Sequence, residues 1–314
     1  MNRPDVTICD VGLRDGLQIS KDLMPVAQKT AWLAAQVAAG MRAMEVTSFV
    51  PARLMPQFAD AADVITFANA LPGLEIAQAL APNFRGCERA AAAGARSISV
   101  PVSASAEHSL ANVRKSTDEQ ITEVRQMAAL RDSLPPHERF KLLAAVSTAF
   151  GCTIQGEVPE QEVIRVAVAL QTAGADALSI CDTVGYAHPA QVKRIFNAVR
   201  AAVGEQIELQ AHFHNTRGLG LANCMAAYET GVRYFDATLG GLGGCPHAPG
   251  ASGNVVTEDL AYMFEAMGIS TGIDLDKLAE VRAMIRPQLP QTEFFGHFAM
   301  AGKAKTFPNS MAIK

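Results

Sequence analysis

The sequence predicts an α/β protein, a (β/α)8 TIM barrel with a short C-terminal helical extension. Three observations carry that expectation. A phrase in which a helical stretch ends on glycine and runs into a strand recurs at Ala39-Gly40-Met41, Ala93-Gly94-Ala95, Ala173-Gly174-Ala175 and Thr230-Gly231-Val232. Glycine suits the left-handed cap of a helix, and the short loop it makes belongs to βα units. Eight strand-like segments can be counted, and 314 residues is a length that suits one large barrel.

In chain order the strands are expected near 6–12, 43–49, 75–80, 97–102, 142–148, 177–182, 208–214 and 234–239. Helical segments fall between them, for instance over 159–173, 189–203 and 219–230, with Pro159 and Pro189 where a first helical turn tolerates proline. The fifth strand, Leu142-Leu143-Ala144-Ala145-Val146, and the sixth are nearly continuous apolar runs, as parallel strands covered on both faces should be. The barrel is expected over about 6–270. One further helix and a tail follow over about 274–314, and no linker divides residues 1–314, so a single catalytic domain is expected.

Composition excludes several classes. The chain is 49% hydrophobic and 18% charged, enough to bury a large core. Twenty-seven basic against 31 acidic side chains give a net charge of −4, which argues against a nucleic-acid partner. No apolar run approaches the length of a membrane span, and no secretory signal opens the chain. The six cysteines contain no Cys-x-x-Cys pair and read as reduced thiols of a cytoplasmic protein.

A barrel of this kind carries its chemistry at the C-terminal ends of its strands. Arg14-Asp15 ends the first, Glu45, Thr47 and Ser48 lie near the end of the second, Asp182-Thr183 ends the sixth, and His212-Phe213-His214-Asn215 ends the seventh. Residues i and i+2 of a strand share a face, so two imidazoles project together into the mouth. With a carboxylate such as Asp15 they make a divalent-metal site with open positions. Arg14 can hold a developing oxyanion, and Cys245, in the glycine-rich Gly240–Pro246 loop, can donate a proton or act as a nucleophile. Cys9 and Cys224 read as core. His108, His188, His247 and His297 have no partner at ligand spacing and read as surface or loop residues. The glycine run matches no nucleotide-binding fingerprint.

These motifs resemble those of the 3-hydroxy-3-methylglutaryl-CoA lyase family, within the metal-dependent barrel superfamily of lyases, aldolases and acyl-CoA condensing enzymes. The resemblance runs from Val6 to about Asp274. It rests on residues 11–18 (Val-Gly-Leu-Arg-Asp-Gly-Leu-Gln), Glu45–Val50, Asp182–Gly185, His212–His214 and Gly241–Pro246 followed by Gly250–Asn254. It implies Asp15, His212, His214 and Asn254 as ligands of Mg²⁺ or Mn²⁺. Arg14 would steady the enolate of the departing acyl-CoA, and Cys245 would transfer a proton. Glu45 and Asp182 match required acids, with Asp15 or His212 as base, and Gln18, Lys21 and Ser48 match positions near the substrate. The reaction implied is retro-Claisen cleavage of an acyl-CoA thioester to acetoacetate and acetyl-CoA, by a homo-oligomer, dimer or tetramer.

Four positions, at three places in the chain, depart from the family's pattern. Asn215 stands where Asp follows His-x-His, Ile19-Ser20 where Asn-Glu follows Gln18, and His247 where an aromatic ring is frequent. They leave the metal and cleavage machinery intact but bear on which acyl group is taken, so citramalyl-CoA or a longer branched 3-hydroxyglutaryl-CoA are competing substrates. A condensing transferase of the isopropylmalate-synthase kind is a second reading, and a silent barrel that only binds acyl-CoA or a partner protein a third.

Overall fold

Each of the eight expected strands forms. The structure, a computed structural model, describes residues 3–244 and 253–308. The strands are β1 (Thr7–Asp10), β2 (Ala43–Ser48), β3 (Ile76–Leu80), β4 (Ser97–Ser103), β5 (Lys141–Ser147), β6 (Ala177–Asp182), β7 (Glu208–Phe213) and β8 (Tyr234–Ala237). They pair in sequence order, all parallel, and β8 returns to β1 to close the barrel.

Helices fill the crossovers: α1 (Val26–Ala38), α2 (Ala61–Ala70), α3 (Phe84–Ala92), α4 (Ala106–Val113), α5 (Thr117–Ser133), α6 (Glu160–Thr172), α7 (Pro189–Val203), α8 (Gly220–Glu229) and α9 (Thr257–Ala266). The recurring glycines do what their sequence context implied. Gly40, Gly94, Gly174 and Gly231 have φ of 96°, 83°, 101° and 95°, a conformation that favours a residue without Cβ. The helical extension begins with α10 (Leu275–Ile285), whose first amides Asp274 caps, but it is not one helix and a tail. A 3-10 turn (Arg286–Gln288) and a short α11 (Phe298–Ala301) follow.

Five C-terminal strand ends fall short of expectation, and three of them, β1, β7 and β8, for a reason that shapes the mouth. β1 stops at Asp10 because a π-helical turn, Gly12–Gly16, takes over, with the amides of Arg14, Asp15 and Gly16 all donating to the Val11 carbonyl. β7 stops at Phe213, and β8 at Ala237, because the segment after Gly253 docks on them. Val255 N–H donates to Phe213, Thr238 N–H donates to Val255, and Asn254 bridges to His214.

The outer core, between sheet and helices, is apolar and includes Trp32, Leu33, Val64, Ile98, Leu142, Phe196, Phe213 and Phe264. The barrel interior is different. Glu45, Gln78 and Ser99 hydrogen-bond across it from three neighbouring strands, as do Gln210, His212 and Asp236 from two. Apolar packing therefore holds the helices on, while polar side chains fill the axis below the mouth.

Candidate active site

The π-helical turn brings Arg14 and Asp15 to the mouth together. Arg14 Nε donates to Glu45, and its Nη1 donates to Asp15 Oδ1 at 2.6 Å and to Gln18 Oε1 at 3.3 Å. Its Nη2 has no protein partner among the described residues. Glu45 is itself held from behind by Gln78 and Ser99. Burial opposes the Arg14 charge, but Glu45 and Asp15 outweigh it and raise the pKa. The guanidinium is a fixed cation with one edge uncommitted.

Asp15, His212 and His214 converge so that one donor atom from each lies within 4.8 Å of the others, all three side chains buried. His212 Nε2 is 3.2 Å from His214 Nε2, and Asp15 Oδ2 is 4.0 Å from His214 Nε2. Burial raises the Asp15 pKa, but Arg14 and the two histidines, with a hydrogen bond from Asn254, overcome it and bring it to about 2. Burial lowers that of His212, yet the bond and charge of Asp236 prevail and raise it. Asn254 Nδ2 donates to Asp15 and to the Leu242 carbonyl. Its Oδ1 is buried and accepts no hydrogen bond among the described residues. An oxygen in that state is what a hard cation requires, and a buried polar atom otherwise goes unpartnered only at a cost.

Gly243 makes this close packing possible. A Cβ there would sit 2.7 Å from Asn254 Nδ2 and 3.0 Å from Asp15 Oδ2, and its φ is 100°. Cys245, two residues on, lies outside the described residues, as does His247.

The remaining expected residues divide. Gln18 joins the site through Arg14. Ser48 is buried and its Oγ accepts from Val50 N–H at 3.3 Å, a turn contact at the end of β2. Lys21 is exposed and makes no hydrogen bond or ion pair with the described residues. Asp182 is buried but turned to the backbone: its two oxygens accept from the amides of Tyr186 at 2.8 Å and Ala187 at 3.2 Å. Burial lifts its pKa to about 6. Asn215, in place of an acid, accepts from Gly220 N–H at 3.0 Å and so holds the start of α8.

His108 is not the surface or loop residue expected of it. It is 4% exposed, with Nδ1 3.1 Å from Ser103 Oγ. His188 caps α7 by accepting from Gln191 N–H.

Sequence reasoning missed four residues that organise the floor. Asp236 lies in register beside His212 and meets its Nδ1 at 3.0 Å, while Gln210 donates to the other Asp236 oxygen. The signal was present as Gln210-x-His212-x-His214, polar at every inward position of an otherwise apolar strand. Ser99 is a third. Asp10 is the fourth: one oxygen takes Gly12 N–H at 2.9 Å, and the other takes Leu239 N–H and Thr257 Oγ1 at 2.8 and 2.7 Å. It ties the π-helical turn, the loop after β8 and the start of α9 to one buried carboxyl group, whose pKa burial raises.

A family model described as HMGL-like matches residues 5–285 of the chain. The chain belongs to the HMGL-like family. A hydroxymethylglutaryl-CoA lyase of Bacillus subtilis is 40% identical over 285 residues, which are 90% of this chain and 93% of that protein. A human 3-hydroxy-3-methylglutaryl-CoA lyase, named as cytoplasmic, is 37% identical over 275 residues, 88% of this chain and 73% of that one. Among solved structures, an HMG-CoA lyase of Acinetobacter baumannii in complex with coenzyme A and 3-methylmalate superposes with a TM-score of 0.87. It shares 36% identity, with 98% of this chain and 99% of that one covered. The carboxyl transferase domain of Rhizobium etli pyruvate carboxylase shares the fold at 19% identity and a TM-score of 0.70, covering 93% of this chain and 49% of that one. Membership in the family accounts for the closed barrel. No described helix is long and apolar enough to cross a membrane.

Proposed function

We propose that this chain is a divalent-metal-dependent lyase that cleaves 3-hydroxy-3-methylglutaryl-CoA to acetoacetate and acetyl-CoA. The observation that carries the reading is a cation cradle with an uncommitted guanidinium edge beside it, on one floor. The lyases that share 36–40% identity with the chain over most of its length support the substrate.

The donor set fits Mg²⁺ or Mn²⁺. Asp15 offers a carboxylate oxygen, Asn254 an amide oxygen, and His212 and His214 their Nε2 atoms. With neutral imidazoles, the single guanidinium of Arg14 faces the carboxylates of Asp15, Glu45 and Asp236, which leaves room for two positive charges. Bound there, the ion would supply Lewis-acid polarisation of substrate oxygens and lower the pKa of the 3-hydroxyl.

The chain's own residues do the rest. Of Asp15 and His212, Asp15 is the acceptor of the hydroxyl proton, because His212, with Nδ1–H donating to Asp236 and Nε2 given to the ion, keeps no lone pair for it. Breaking the C2–C3 bond then leaves acetoacetate and a thioester enolate. Arg14, locked in orientation by Glu45 and Gln18, turns its remaining edge to the enolate oxygen. Cys245 protonates the enolate carbon, a role supported by its place two residues after Gly243, which packs against Asp15 and Asn254. Asp182 takes part by fixing the turn after β6, and Ser48 and Lys21 by lining the substrate's approach.

The same reading makes the chain a cytoplasmic homo-oligomer, dimer or tetramer. The five described cysteines, all buried and free of disulfides, support the compartment.

The test is a panel of 3-hydroxy-3-methylglutaryl-CoA, both citramalyl-CoA enantiomers and a longer branched 3-hydroxyglutaryl-CoA, with products identified by mass. Acetyl-CoA with acetoacetate from the first is the expected result. Turnover of only another member moves the acyl assignment, and free CoA from acetyl-CoA plus a 2-keto acid overturns the lyase reading. Cys245→Ala is expected to cut kcat about 100-fold or more, the loss typical of a positioned proton donor.

A further inference from the structure

We propose that Asp236 is a positioning residue that fixes the tautomer of His212, with Gln210 as its anchor. The inference rests on the proposed metal centre and adds to it a device that no part of that centre supplies.

An imidazole can turn a lone pair into the mouth only if its other nitrogen carries the proton. At His212 the nitrogen away from the mouth is Nδ1, and it lies 3.0 Å from Asp236 Oδ2. A carboxylate accepts and does not donate, so this contact requires a proton on Nδ1 and leaves the Nε2 lone pair facing His214. Asp236 cannot turn to another partner. It is buried on β8, in register beside His212, and Gln210 Nε2 donates to its second oxygen. The three side chains form a line across β7 and β8, all less than a tenth exposed. Water therefore has little access to substitute for any of them.

The arrangement is also economical in sequence. Gln210 and His212 are two apart on one strand, so both face the axis, and Asp236 is the neighbouring inward position on the next. Each oxygen of Asp236 has one donor, which fixes the carboxylate plane as well as its place. Ligand-orienting carboxylates of this kind typically change metal affinity 10- to 100-fold when removed.

Two measurements on the full chain test this, with Mn²⁺ alone as the probe. Free Mn²⁺ is followed by electron paramagnetic resonance during titration, and ¹⁵N-histidine NMR of the metal-free protein, at a pH where His212 is neutral, reads the tautomer. The wild type is expected to show Nδ1–H at His212. Asp236→Asn, whose amide can donate to Nδ1, is expected to shift His212 toward Nε2–H and to weaken Mn²⁺ binding by about 10- to 100-fold. Wild-type affinity together with an unchanged tautomer in this variant overturns the proposal. If the wild type binds no Mn²⁺, the metal centre itself fails, and the tautomer measurement still decides what Asp236 does. Should Asp236→Asn not fold, Gln210→Ala, which releases the far oxygen of Asp236, is expected to weaken Mn²⁺ several-fold, and wild-type affinity there overturns the assignment.

Discussion

The Nε2 atoms of His212 and His214 face each other at 3.2 Å, in a site that also holds Asp15 and the unpartnered Oδ1 of Asn254. Two neutral imidazoles at that distance can share one hydrogen, but the floor still carries more carboxylates than cations. A divalent ion relieves both conditions at once. Removing it with a chelator is expected to abolish acetyl-CoA release, and Mn²⁺ or Mg²⁺ to restore it. Because only the folded chain assembles the cradle, the metal should also stabilise: at a concentration 100 times Kd, by about 2.7 kcal/mol. Thermal melts with and without metal check this, and full activity after chelation would sink the metal reading.

Arg14 makes three acceptor contacts through two nitrogens, and that geometry needs a planar fork. Lysine keeps the charge but cannot hold Glu45, Asp15 and Gln18 while facing substrate. Arg14→Lys is therefore expected to lower kcat about 10²–10³-fold, equivalent to roughly 2.7–4 kcal/mol of transition-state stabilisation. Steady-state kinetics check it; a loss confined to KM would mean that Arg14 only binds the ground state.

Most of the strand order, and each of the motifs Arg14-Asp15 and His212-x-His214, was legible because each is local. Strands announce themselves through apolar runs and helix-ending glycines, and i, i+2 spacing places two imidazoles on one face. The residues that hold the site from behind were not legible, since they act across strands. Asp236 has meaning only beside His212, 24 positions earlier in sequence, and Asp10 only beside Leu239 and Thr257. Asp182, an acid at a strand end, has its two oxygens on the amides of Tyr186 and Ala187, a contact its sequence position did not reveal.

Gly243 gives the sharpest steric test of the site. Its positive φ disfavours any side chain, and an added methyl would press on backbone-held Asn254 and on Asp15. Gly243→Ala is expected to displace Asn254, to weaken Mn²⁺ affinity at least tenfold and to lower the melting temperature. Isothermal titration with Mn²⁺ reads the first effect. Affinity equal to wild type would show that Asn254 does not depend on this contact.

Glu258 links the mouth to the C-terminal extension. Its carboxylate accepts from Gly240 N–H and from Arg282 Nη1, and Arg282 Nη1 also donates to the Phe295 carbonyl at 2.6 Å. Burial nonetheless raises its pKa to about 7, because the ionised form loses more hydration than these donors return. An unfolded glutamate titrates near pH 4.3. The folded state therefore holds its proton more tightly than the unfolded state. The stability this group contributes is fully present below about pH 4.3 and is lost as pH rises toward 7. Asp182, raised to about 6, acts with the same sign over a narrower range. Glu258→Gln keeps an acceptor for Gly240 N–H but cannot ionise, so it should flatten the decline between pH 5 and 7 while leaving the part due to Asp182. Urea denaturation midpoints at pH 5, 6, 7 and 8 measure both slopes. Parallel curves for the two proteins would show that Glu258 is already ionised across the range and that Arg282 and Gly240 hold it as a charge.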